Sequence, residues 1–170
     1  NLRSEYARTG RKDLVLVLEK IEAVEIGIGS FKGGPPTRVV NYLFVDPATG
    51  GSRWLFPNND QIVTHTAYLT ENVTDENTID MVGTVRVVVY TLASETPDAA
   101  TAYQIFMSKA DGSNLTKVLD DIEDHPSVVH LEKDKVFVTY RSRGRTLLTG
   151  ISVIDFKTVL QQDLTDKVNK

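Results

Sequence analysis

The residues best suited to acid–base or metal chemistry in this chain are three histidines, His65, His125 and His130. A metal site needs several ligands that converge on one point, and neither His-x-His nor His-Glu-x-x-His spacing is present. His125 follows Asp124, and such a pair can support base catalysis. Neighbours on an extended chain point to opposite sides, however, so we expect surface or structural histidines and assign no catalytic, metal-binding or cofactor-binding residue.

Two acidic groups offer the hard oxygen ligands that calcium prefers. The first contains Asp75, Glu76, Asn77 and Asp80, and the second contains Asp120, Asp121, Glu123 and Asp124. Neither group has the Gly and the final Glu of an EF-hand loop, so we interpret both as solvated turns.

Other local motifs are incomplete or have a structural explanation. No serine lies in Gly-x-Ser-x-Gly, and the stretch Gly27-Ile28-Gly29 with Gly33-Gly34 lacks the dinucleotide-binding fingerprint. Asn72-Val73-Thr74 and Asn114-Leu115-Thr116 fit the glycosylation pattern, but Asn114 is also a typical turn residue.

Aromatic residues on predicted strands are candidates for a ligand platform or for the core. They are Trp54, Tyr42, Tyr68, Tyr90, Tyr103 and Tyr140. Core or cross-strand packing is the usual role of such residues, and an exposed subset could bind a ligand.

Composition describes an ordinary soluble domain of 170 residues, with 41% hydrophobic and 25% charged residues and a net charge of −4. Cysteines are absent, which excludes disulfides and thiolate metal sites. The one basic cluster is Arg141, Arg143 and Arg145, which we interpret as a solvated hairpin tip, so we expect no nucleic-acid partner. No apolar run approaches the roughly 20 residues that span a bilayer.

The start of the chain differs from the rest. Residues 1–12 are polar and basic, and we treat them as an N-terminal segment before a single β domain at residues 13–170. Because the sequence opens at Asn1 without Met, we expect that a preceding segment, such as an export signal or a membrane anchor, has been removed.

Alternating apolar residues predict about ten to twelve short strands. The strongest is Thr84–Leu92, while Arg38–Val45 is apolar on both faces, as expected of a strand covered on both sides. Ser30–Thr37 and the acidic Asp120–Pro126 are expected loops, and Thr158–Lys170 suits either a final strand or a short helix. Short connections and the absence of long helical patterns favour antiparallel hairpins over a parallel α/β sheet.

Three of these hairpins share one pattern. In Tyr42–Leu55, Ile105–Leu119 and Ile151–Leu160, an apolar strand is followed by an aspartate, small or polar residues and a return strand. The aspartates are Asp46, Asp111 and Asp155, and we predict that each carboxylate accepts a bond from the backbone N–H two residues on, which closes the turn.

Ile105–Leu119, with Asp111-Gly-Ser-Asn-Leu-Thr-Lys117, resembles the outer hairpin of the WD40-like repeats in TolB-type β-propellers. His130–Tyr140 is similar to the first strand of the next blade but lacks its Pro and its Gly after Asp134. Asp46 and Asp111 are 65 positions apart, and Asp111 and Asp155 are 44 apart. The second spacing is usual for one blade, and the first would be a blade with an insertion.

The resemblance implies a mainly β fold whose antiparallel hairpins form three blade-like units. Three blades do not close a ring, because propellers typically use about 4–8 blades. The alternatives are a part of a larger propeller, pairing with a second copy, or an irregular β-sandwich or barrel.

Two functions remain open from the sequence. The first is a non-catalytic interaction or ligand-binding module, the soluble, periplasmic or envelope-associated part of an exported bacterial protein, with a protein partner or self-association through a sheet edge. It rests on the TolB resemblance and on the missing catalytic motifs. The second is a hydrolase on a β-scaffold, which requires a pocket where carboxylates converge with His65, His125 or His130.

Overall fold

The computed structural model describes residues 2–8, 14–24, 36–71, 84–94 and 101–168. The prediction of a mainly β, antiparallel fold is confirmed, and the sheets do not close into a barrel. Within the described ranges the strands are β1 (Leu2–Arg8), β2 (Leu14–Ala23), β3 (Thr37–Val45), β4 (Ser52–Trp54), β5 (Ile62–Glu71), β6 (Thr84–Ser94), β7 (Ala102–Lys109), β8 (Thr116–Ile122), β9 (Ser127–Glu132), β10 (Lys135–Ser142), β11 (Arg145–Ser152) and β12 (Thr158–Asp163). One helical turn, α1 (Thr165–Val168), follows β12.

The strands form two antiparallel sheets. The larger has the order β1-β2-β3-β5-β6-β7-β8, with β4 paired to β3, and the smaller has the order β12-β11-β10-β9. The smaller sheet is therefore a meander in which each strand pairs with its neighbour along the chain. The first two predicted hairpin units, β3–β4 and β7–β8, share the large sheet, and the third, β11–β12, belongs to the small one.

Strand β6 lies between two hydrophobic clusters because its sequence is apolar on both faces. Val88, Tyr90 and Leu92 pack with residues of β2 and β3. Val87 and Val89 pack with β7 and with buried residues of the small sheet. The first strands of the large sheet thus cover one face of β6, and the small sheet covers the other.

The large sheet is weakly joined between β3 and β5. Val39 and Val63 are the one pair in backbone register between these two strands in the described part of the chain. Adjacent strands elsewhere in the sheet pair over several residues, for example β5 with β6. Strands β3 and β5 are therefore not paired on either side of these two residues, and a cavity lies between the strands.

Asn41 on β3 holds the segment after β4 in place. Its Nδ2 donates to the carbonyl oxygens of Phe56 and Asn58 at 3.0 and 2.9 Å, and its Oδ1 accepts from the N–H groups of Phe56 and Tyr42. Asn41 is 2% exposed, so these bonds replace water for a fully buried amide.

Several element boundaries differ from the sequence-based expectation. Leu2–Arg8, in the segment set apart from the β domain, forms β1 and pairs with β2. Strand β8 continues through Ile122, into the expected loop Asp120–Pro126. The ambiguous tail contains both alternatives, since β12 is followed by α1. Most of the predicted loop Ser30–Thr37 lies outside the described residues.

Candidate functional site

Two of the three histidines lie next to each other. The rings of His65 and His125 meet edge to face, with centroids 6.3 Å apart, and the ring of Tyr103 is 5.3 Å from that of His125. His125 Nε2 is 3.2 Å from the Thr64 hydroxyl, and its Nδ1 donates to the carbonyl of Pro126. The side chain of His130 lies outside the described residues.

Asp124 does not act with its neighbour His125. Its carboxylate accepts from Arg141 Nη1 at 3.3 Å, while His125 bonds to Thr64 and Pro126. The two side chains thus serve different partners, as expected for neighbours on an extended chain.

The cavity between β3 and β5 has a volume of about 200 Å³ and is lined mainly by polar residues. They are Arg3, Glu19, Tyr42, Thr64, His65 and Thr66, with Val39 and Val63 as the apolar part of the wall. Strand β5 has a bulge between Val63 and His65, next to this wall.

A row of polar side chains from neighbouring strands forms one side of the cavity. Arg3, Glu19 and Tyr42 are register partners across β1, β2 and β3. Arg3 donates its Nε–H to Glu19 Oε2 at 2.6 Å, and the Tyr42 hydroxyl is 2.6 Å from Thr66 Oγ1. Glu19 is only 4% exposed, so the guanidinium of Arg3 offsets part of the cost of burying its carboxyl group.

The sequence analysis did not identify Glu19 as a site residue. Its signal in the sequence is a charged residue inside the apolar run of β2. Its partner Arg3 comes from β1, which the alternation of apolar residues does not reveal.

The second acidic group is used for ion pairs and turns. Asp120 pairs with Lys117, Asp121 with Arg143, and Asp124 with Arg141, while Glu123 accepts from the N–H of Gly144. The first acidic group, Asp75 to Asp80, lies outside the described residues, as does the Asn72-Val73-Thr74 motif. No group of three or more potential metal ligands occurs among the residues that the structure describes.

The arginine cluster is a solvated hairpin tip, as predicted. Arg143 and Gly144 form the turn between β10 and β11, with φ values of 51° and 72°. Each of the three arginines faces a carboxylate, because Arg145 Nη1 also lies 3.5 Å from Asp163 Oδ2.

The predicted aspartate turns are confirmed. Oδ1 of Asp46, Asp111 and Asp155 accepts the N–H of Ala48, Ser113 and Lys157 at 2.8, 3.0 and 3.1 Å, respectively. The three turns differ, however, in which residue after the aspartate has a left-handed backbone conformation. Gly50, Gly112 and Phe156 take it, with φ of 73°, 79° and 58°.

The aromatic side chains divide between core and surface. Tyr42, Tyr90 and Tyr140 are buried, whereas Trp54 is 45% exposed. The Tyr90 hydroxyl is 2.9 Å from Ser108 Oγ, and burial raises the pKa of Tyr90. Three of the six predicted platform residues therefore belong to the core.

Strand β12 is an uncovered edge of the small sheet. All six of its residues are exposed, including the apolar Val159 (51%) and Leu160 (43%). Between Thr158 and Gln162 it has no charged residue, and in the described part of the chain it pairs with β11 alone.

Among the described residues, the edge strands β1, β8 and β9 are charged or covered, and the edge strand β4 is only three residues long and contains Arg53. Strand β1 carries the exposed, charged Arg3. Strand β8 carries Lys117, Asp120 and Asp121, and the chain just after it bonds to β10 through the N–H of Glu123. Strand β9 packs against β5. Charge and coverage are the usual protection against edge pairing, and among the described residues β12 has no cover and no charge between Thr158 and Gln162.

In the described ranges no helix has the length and apolarity that a membrane crossing requires. Comparison with known proteins gives no matching family model, curated protein or solved structure.

Proposed function

We propose that this domain is a non-catalytic interaction module that binds protein through the edge of β12. The observation that carries the proposal is the exposed, uncharged strand Thr158–Gln162 at the end of the small sheet. A free edge offers a row of backbone N–H and C=O groups to another strand, and exposed Val159 and Leu160 add apolar area to such a contact.

We further propose that the module is the soluble part of an exported or envelope-associated bacterial protein. This location rests on the resemblance of Ile105–Leu119 to the TolB-type hairpin. The four-stranded meander β9–β12 supports the same relationship, because a propeller blade is also a four-stranded antiparallel sheet.

A lysine in the middle of β12 tests the role of the edge. We expect Leu160→Lys to abolish concentration-dependent association, measured as molar mass by size-exclusion chromatography with light scattering, because a charge on an edge strand opposes pairing. Val168→Lys is the matched control: Val168 is similarly exposed, at 58%, but lies on α1, so this variant keeps the association. A wild-type chain that stays monomeric at every concentration contradicts the proposal.

A hydrolase is the second candidate, because Glu19 and His65 line the same cavity. A carboxylate and an imidazole on one wall are the groups that general acid–base catalysis requires. The acidic group Asp120 to Asp124, by contrast, is bound to arginines, a lysine and a backbone N–H elsewhere on the surface.

Hydrolysis of p-nitrophenyl acetate and p-nitrophenyl phosphate tests this second candidate. If the cavity is catalytic, Glu19→Gln and His65→Ala each lower turnover, and Glu22→Gln, on the same strand but outside the cavity, leaves it unchanged. Equal rates in all four proteins remove the hydrolase from consideration.

A further inference from the structure

The charges at the two ends of β12 have opposite signs. Lys157 precedes the strand and Asp163 ends it, and the residues between them are uncharged. A strand of this kind is complementary to itself only when the second copy runs antiparallel, because a parallel copy places like charges side by side.

The backbone of β12 has hydrogen-bonding groups that face away from its sheet. Leu164 donates its N–H to the carbonyl of Thr146, at the start of β11, at 2.8 Å. Since successive residues of a strand direct their N–H and C=O groups to opposite sides, those of Asp163 and Gln161 point away from β11. These groups are positioned to bond a further strand.

The carboxylate of Asp163 is held in its charged form. The hydroxyl and N–H of Thr165 both donate to Oδ1, and the Thr165 hydroxyl is the main reason that the pKa of Asp163 lies below its usual value. Oδ2 makes a longer contact of 3.5 Å with Arg145. A lysine from a second copy can therefore approach a carboxylate that is ionised at neutral pH.

We propose that the partner of β12 is β12 of a second copy of this chain, paired antiparallel about a two-fold axis near Leu160. This proposal rests on the proposed function and names its partner. Two-fold pairing brings Lys157 of each copy towards Asp163 of the other and places the two Leu160 side chains together at the centre. The contact is isologous and closes after two copies, and it joins the two small sheets into one of eight strands.

Cysteine cross-linking tests the direction and centre of the pairing, because the chain has no cysteine of its own. Leu160→Cys places one thiol next to its symmetry mate, at the Cα separation of roughly 4.4–6.8 Å that a disulfide requires. We expect mild oxidation to convert most of this variant to a covalent dimer.

Two further cysteine variants are the matched controls. In the antiparallel pair Thr158 lies near Gln162 of the other copy, so neither Thr158→Cys nor Gln162→Cys faces itself. Each variant alone is expected to cross-link several-fold less than Leu160→Cys, and an equimolar mixture of the two is expected to cross-link more than either alone. Cross-linking of Thr158→Cys and Gln162→Cys to themselves, each as strongly as Leu160→Cys, indicates a parallel pair and overturns the proposal.

A charge reversal tests the ends of the strand. In the Lys157→Glu variant, a glutamate of each copy lies near Asp163 of the other, so each dimer has two pairs of like charges. We expect this repulsion to raise the dissociation constant at least tenfold, with a larger effect at low salt. Lys167→Glu, on the exposed side of α1, changes net charge equally and is expected to change the constant less than twofold. Equal effects of the two variants contradict the pairing.

The outcomes separate this inference from the proposed function. If light scattering shows a dimer that Leu160→Lys abolishes but Leu160→Cys does not cross-link, the antiparallel self-pairing of β12 is wrong and the interaction module stands. If the wild-type chain is monomeric throughout, both are wrong.

Discussion

Among substitutions that remove no apolar surface, we expect the loss of the Asn41 side chain to disturb the fold most. Asn41→Ala leaves the buried N–H groups of Phe56 and Tyr42 without their acceptor. An unsatisfied buried polar group costs about 1–3 kcal/mol, so we expect a loss of about 3 kcal/mol in the free energy of unfolding, measured with urea.

Asn59→Ala is the control for this prediction. The Asn59 side chain is exposed and accepts a single bond from Asn41, so we expect a loss of less than about 0.5 kcal/mol. Similar losses for both variants contradict the role of Asn41 as the group that fixes the segment after β4.

Asp111 gives a pH-dependent contribution to stability. Partial burial raises the pKa of its carboxyl, but the two bonds from Ser113 and the charge of Arg53 outweigh burial, and the net pKa is lowered. The ionised carboxylate of Asp111 therefore stabilises the fold fully above the pKa that it has in the unfolded chain, about 4. This stabilisation is lost as pH falls through the lower pKa that it has in the folded protein.

We expect Asp111→Asn to unfold at lower urea concentration than wild type at pH 7, and the difference to shrink as pH falls below about 4. Ser113→Ala keeps the carboxylate but removes one of its donors, so it is expected to show a smaller change with pH. A difference between wild type and Asp111→Asn that stays constant down to acid pH contradicts this account.

Individual residues were predictable where their partners are close in sequence. The bonds of Asp46, Asp111 and Asp155 join residues two positions apart, and the turn chemistry of aspartate predicted them. Asn41 bonds to Phe56, Asn58 and Asn59, which lie 15 to 18 positions away, and Glu19 pairs with Arg3 across 16 positions. Such contacts depend on how strands are placed in the sheet, which local patterns do not specify.

The β7–β8 hairpin is fixed by close packing of its turn on another hairpin. A Cβ at Gly112 would lie 2.6 Å from Cδ2 of the buried Phe44, and Gly112 also has a φ of 79°. Gly144 has a φ of 72° and no atom within 4 Å of the same position. A side chain at either glycine would strain the backbone, because both have a positive φ. Only a side chain at Gly112 would also collide with Phe44.

We expect Gly144→Ala to cost about 1 kcal/mol, the usual penalty for a side chain in the left-handed region. Gly112→Ala is expected to cost about 1–3 kcal/mol more, because the Phe44 ring must move. Urea unfolding measures both, and a Phe44→Leu background tests the cause by reducing the cost of Gly112→Ala. Equal costs for the two glycine variants contradict the docking of the turn on Phe44.

Element types were predictable where apolar residues are continuous, as in β6, or alternate, as in β7. Strand β1 was missed because its sequence, Leu2–Arg8, mixes charged and apolar residues and pairs only at an edge. The length of β8 was underestimated because Asp120 and Asp121 read as a loop, although both pair with basic residues at the surface.

At the scale of the whole molecule, the large sheet is joined between β3 and β5 by the Val39–Val63 pair, and its strand β6 is covered by the first strands on one face and by the small sheet on the other. The antiparallel class follows from short connections, but the division into two sheets does not, because hairpin sequences do not specify which hairpins share a sheet. The same arrangement places β12 at an edge, and from this position we infer its role.

Hydrogen exchange of the β12 backbone at low and high protein concentration tests this central claim most directly. We expect the amides of Gln161 and Asp163 to exchange more slowly as concentration rises, because a second strand bonds to them, while those of β1 keep a constant rate. Exchange rates in β12 that do not change with concentration, or slowing at β1 instead, would contradict the account.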